Sequence, residues 1–80
     1  MPVSGVLVAC RREHLARVGT ALRAIPGVDI HHADPSGRLV VTIEGPTTVG
    51  CAERLRAIQA LPDVLSAEMA MHVFEDERSP

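Results

Sequence analysis

Eighty residues make one small domain, near the size at which apolar burial only just exceeds chain entropy. Hydrophobic residues are 46% of the chain but Phe74 is its one aromatic, so the expected core is aliphatic and a base-stacking surface for single-stranded RNA is argued against. A net charge of −2 with scattered arginines disfavours a nucleic-acid binder, and no apolar run reaches the roughly 18 to 20 residues of a membrane span.

Residues 3–10 form a short apolar run, with Val6, Val8 and Cys10 on one face and Leu7 and Ala9 on the other, as in a central strand covered on both sides. Arg11-Arg12 resembles the arginine pair of an export signal. The segment behind it, Glu13-His14-Leu15-Ala16-Arg17, is charged and amphipathic where such a leader is continuously apolar, and the chain is expected to be cytoplasmic. Leu15, Val18, Leu22 and Ile25 then mark the inner stripe of a helix that Pro26-Gly27 ends.

A hairpin follows. A short β-prone run with alternating Val28 and Ile30 and a strand over residues 39–43 are joined by Asp34-Pro35-Ser36-Gly37, in which Asp bonds its own backbone, Pro presets φ and Gly accepts positive φ. Gly45-Pro46-Thr47-Thr48 breaks the chain and offers a threonine cap to a second amphipathic helix, whose stripe is Cys51, Leu55, Ile58 and Leu61. Pro62-Asp63 closes it. Residues 64–74 form a fourth strand, with Ala67, Met69 and Met71 alternating against Glu68, Ala70 and His72.

The order strand, helix, strand, strand, helix, strand predicts an α+β, ferredoxin-like βαββαβ fold. It has a four-stranded antiparallel sheet with two helices on one face, spanning residues 1–74, and an acidic polar tail over 75–80. The first and third strands are expected at the centre and the second and fourth at the edges. Alternation assigns Val28, Ile30, Leu39, Val41, Ile43, Ala67, Met69, Met71, Val6, Val8 and Cys10 to the helix side. The open side then receives Leu7, Ala9, Val40, Thr42, Glu68, Ala70 and His72, with Asp29 and His31 at the far edge. An apolar centre with a polar rim suits a partner site; a tolerated apolar surface, or a sheet covered by a second copy, suits it equally.

The fold alone does not decide function. No pair of cysteines separated by two residues follows the first strand to hold a heavy metal, and the chain has no Asn for an acylphosphatase-type anion loop. Cys10 and Cys51 are expected to be small buried hydrophobes about 17 to 20 Å apart, too far to bridge. His31 and His32 are expected to point to opposite faces as a solvated pair, so neither metal nor cofactor is expected, and no catalytic constellation marks an enzyme. A small-molecule regulatory domain of the ACT type shares this topology and is the main rival. It is expected beside a catalytic or DNA-binding domain, and this chain reads as a single unit.

The run Ile25-Pro26-Gly27-Val28, the turn and strand from Asp34-Pro35-Ser36-Gly37 through Arg38-Leu39-Val40-Val41-Thr42-Ile43-Glu44, and Val64-Leu65 opening a strand that reaches His72 with acidic residues behind it resemble the NapD family. The likeness runs from about Val3 to Glu77, and Met71 stands where an aromatic can occur. The resemblance implies a cytoplasmic assembly chaperone that binds the twin-arginine signal peptide of the precursor of the periplasmic nitrate reductase catalytic subunit. It would delay export until cofactor insertion and folding. It implies that the open face takes the peptide as a helix, through Leu7, Ala9, Val40, Thr42, Glu68, Ala70 and His72. The chain is then expected to be a monomer or weak homodimer with no stable membrane association.

Overall fold

The computed structural model describes the backbone of residues 2–74 and the side chains of residues 2–71. The expected tail, residues 75–80, lies outside the described residues. Strand β1 (Pro2–Cys10) passes through a 3-10 turn at Arg12–His14 into helix α1 (Leu15–Arg23). Strands β2 (Val28–Asp34) and β3 (Arg38–Glu44) form the hairpin, and α2 (Thr48–Gln59) leads to β4 (Val64–Phe74). All pairings are antiparallel in the order β2-β3-β1-β4, which is the ferredoxin-like arrangement the sequence predicts.

The turn chemistry acts as its residues dictate. Gly37 sits at φ 109°, where a β-carbon would run into the Cys10 carbonyl, and its N–H donates to the Asp34 carbonyl at 2.9 Å. The Ser36 hydroxyl donates to the Asp34 carboxylate at 2.6 Å, and the Cys10 N–H donates to the Gly37 carbonyl at 2.8 Å, pinning the end of β1 to the hairpin turn. Thr47 caps α2 by accepting from the Gly50 N–H at 3.0 Å.

Val6, Val8, Leu39, Val41 and Ile43 form the floor of the core, and Val18, Leu22, Cys51 and Ile58 close it from the helices. The buried cysteines lie at opposite ends of this layer and are free. Cys51 lies beside the Pro2 and Ile43 carbonyls, while Cys10 pairs with Val64. Burial, with the Asp63 charge second, pushes the Cys10 thiol up, which keeps it protonated and poorly nucleophilic.

Strict alternation fails in both edge strands. On β4, Met69 pairs with Val6 but Met71 pairs with Gly5, so Ala70 is an extra residue without a partner in the β1 register. One extra residue reverses every later position. Met71, expected in the core, is therefore on the open side and 57% exposed. His72, expected on the open side, takes the register position opposite the buried Ser4. Met69 keeps its helix-side register position but is 41% exposed, because it lies on the edge strand outside the core cluster. On β2 the same device occurs at His31: Ile30 pairs with Val41 and His32 with Val40, so His32 joins the open side and the two imidazoles do not point apart. Bulges at both edges also interrupt the flat rows of backbone groups that would invite another strand.

Candidate functional site

Residues paired across an antiparallel ladder share a face, so the registers define the uncovered side of the sheet. Its centre is Gly5, Leu7 and Ala9 from β1 and Val40 and Thr42 from β3, with Met71 of the edge strand β4 beside it. Leu7 is 51% exposed and Val40 40%, adjacent on neighbouring strands, so the apolar centre is open to a partner. Ala9 and Thr42 are half-buried and Ala70 is exposed at the bulge. The structure thus brings together Leu7, Ala9, Val40, Thr42 and Glu68 from the expected set, sets Ala70 at an irregularity, and moves the register position of His72 away.

Around this centre stand Asp29, Asp34, Glu44 and Glu68, against one guanidinium, that of Arg38. The helices and their connections carry the opposite balance: Arg11, Arg12, Arg17, Arg23, Arg54 and Arg56 against Glu13, Glu53 and Asp63. Asp63 is engaged there, accepting from Arg17 at 3.2 Å and lying 3.5 Å from His14 Nδ1. Among the described residues, the strand positions that share the uncovered face carry more carboxylates than guanidinium groups.

At the hairpin end of that face lies a depression of about 480 Å³. Its floor is Leu7, Ala9 and Val40, one wall is Ser66 and Glu68, and the other is His32, Asp34 and Arg38. The walls differ electrostatically. The Ser36 hydroxyl bond holds the Asp34 carboxyl below its ordinary value, aided by the Ser36 N–H and the charges of His32 and Arg38 and opposed by desolvation, so Asp34 already has local partners. Glu68 is exposed, and no side chain on its wall neutralises it. Farther along the face, His31 Nε2 and Thr42 Oγ1 are hydrogen-bonded at 2.7 Å, fixing the bulged imidazole of β2 against the inner strand β3.

A face of this kind offers a shallow apolar bed for a helix or strand and anionic groups for a cationic end. Its one hydroxyl–imidazole contact is that of Thr42 and His31, and among the described residues no cluster of His, Cys, Asp or Glu is arranged to hold a metal ion. No helix of the described residues is long and apolar enough to cross a membrane. Met71, Gly5, His32 and the Asp34–Arg38 pair escaped the sequence reading. For Met71 and His32 the cause is the same, because a single inserted residue leaves no trace in local alternation.

The family model described as "NapD protein" matches residues 1–76. The chain is similar to the chaperone NapD of Escherichia coli (strain K12) and to that of Shigella flexneri. Each is 25% identical over 76 residues, covering 94% of this chain and 87% of the relative. The solution structure of the E. coli Tat proofreading chaperone protein NapD superposes with a TM-score of 0.83 at 26% identity, over 98% of this chain and 85% of that one. These relatives are named as chaperones and not as enzymes, in agreement with the absence of catalytic groups expected from the residues. The fold, the coverage of nearly the whole chain and the family match converge: this chain belongs to the NapD family.

Proposed function

We propose that this chain is a cytoplasmic proofreading chaperone of the twin-arginine export route. Its client is the precursor of the periplasmic nitrate reductase catalytic subunit, bound through the signal peptide. The observation that carries the reading is the single-sided fold: one layer of helices leaves an apolar, acid-rimmed sheet face uncovered. A signal peptide presents the complement, a basic head and an apolar helical stripe. About 16 helical residues span roughly 24 Å, comparable to four strands spaced at about 4.8 Å.

In this reading Leu7, Ala9, Val40 and Ala70 bed the apolar stripe, and their modest size lets a helix axis come close. Thr42 offers a hydroxyl beside the bed. Glu68 receives a guanidinium; at an exposed rim such a contact guides registration and association rate more than it adds affinity. Masking is competitive, because arginines held against the chaperone are hidden from the translocase until the client has received its cofactor and folded. The chaperone needs no cofactor of its own.

Calorimetric titration with the precursor's signal peptide tests this. Binding is expected, weakened when the paired arginines become lysines and lost when Leu7→Asp and Val40→Asp are combined. Unchanged binding to that double variant, with its circular dichroism intact, would sink the assignment of the face.

A further inference from the structure

The bulge at Ala70 turns a methionine of the edge strand β4 onto the open face, directly opposite a glycine of the central strand β1. A β-carbon at position 5 would lie 3.6 Å from Met71 Cβ and 3.7 Å from its Cε, so the side chain curls back over the bare backbone of Gly5. A single β-carbon there would meet Met71 at ordinary contact distance, and only a longer side chain would displace it. Met71 nevertheless remains 57% exposed, and it sits on the strand next to Leu7, which is 51% exposed. The most polarizable and adaptable apolar side chain on this face thus lies at the edge of an otherwise shallow bed, folded over Gly5 toward its centre.

Resting on the proposed signal-peptide reading, we propose that Met71, seated on Gly5, is the specificity-determining contact of the face. It is the side chain that adjusts to the apolar stripe of the docked helix and fills the gaps between that stripe and the flat floor of Leu7 and Val40. The occupant is a cationic amphipathic helix, its charge complementary to the four carboxylates that face one guanidinium on this side among the described residues. Shape follows the same logic: a flat aliphatic floor alone leaves voids under a ridged helix, and one flexible thioether folded in from the edge closes them.

Met69 provides an internal control. It is two residues away, 41% exposed, and takes the helix-side register position opposite Val6. Dilute hydrogen peroxide transfers one oxygen atom to a thioether sulfur and is itself reduced to water, giving the sulfoxide at each accessible methionine. The rate at each site is followed by mass spectrometry of the whole chain, with and without saturating signal peptide. The expected result is slower oxidation of Met71 in the complex with Met69 unchanged. Met71→Ser is expected to weaken the peptide about tenfold, and Met71→Leu to stay within about threefold of the parent.

Peptide that binds by calorimetry while Met71 oxidises at its free rate, or that protects Met69 and Met71 alike, overturns this role and leaves the function of the face standing. Absence of any peptide binding to the unaltered chain overturns both.

Discussion

Arg54 Nε donates to the Pro26 carbonyl at 2.7 Å, and its Nη1 donates to the Gly50 carbonyl at 3.2 Å, so one guanidinium ties α2 to the turn that launches β2. That turn is tight: Gly27 lies at φ 82°, its carbonyl accepts from the Glu44 N–H at 2.8 Å, and a β-carbon there would meet the Glu44 carbonyl. The start of one edge of the open face is thereby set from the helical layer behind it. Arg54→Ala is expected to cost about 1 to 2 kcal/mol by urea denaturation. Arg54→Lys recovers part of this at most, because an ammonium does not reproduce the fork. A midpoint unmoved by Arg54→Ala would show that the tether carries no stability.

At the opposite end of the hairpin, Gly37→Ala is expected to be the more damaging change. It combines a φ of 109° with collision against the Cys10 carbonyl, so a loss of about 2 kcal/mol or more is expected. Thermal melting of the variant at the parent's temperature would contradict the strain.

Glu68→Lys is expected to weaken signal-peptide binding chiefly at low salt, because an exposed rim charge acts over a distance that salt shortens. The measurement is the dissociation constant at low and high ionic strength. Equal losses at both would assign Glu68 to packing instead.

The Asp34 carboxyl titrates below its ordinary value of 3.8. Its contribution to stability is therefore present above that value and lost as pH falls through the depressed folded value. Ser36→Ala removes the principal cause, and carboxyl chemical shifts across an acid titration are expected to show Asp34 moving up toward the ordinary value. An unchanged Asp34 titration would assign the depression to the Ser36 N–H and the charges of His32 and Arg38.

Much of this molecule is written locally. The Pro26-Gly27 stop, the Asp34-to-Gly37 turn, the threonine cap and the spacing of Val18 and Leu22 on one helix are each short-range effects, and they suffice for the βαββαβ order. The same holds for the central strands, where alternation from Val6 to Cys10 and from Leu39 to Ile43 places every side chain on its observed face. Leu7 and Val40 were legible for that reason.

What the tertiary structure alone decided is which side chains the edge strands present. Residues 28–34 and 64–74 alternate in sequence as if unbroken, but the first holds one residue more than its partner strand can pair, at His31, and the second holds two, at Leu65 and at Ala70. A bulge is a relation between two strands, set by the register that buries Ile30 against Val41 on one side and seats Met71 on Gly5 on the other. A period of two measured along a single strand carries no information about its neighbour's length, so the faces of His32 and Met71 and the register position of His72 were fixed only when the sheet closed around β1 and β3.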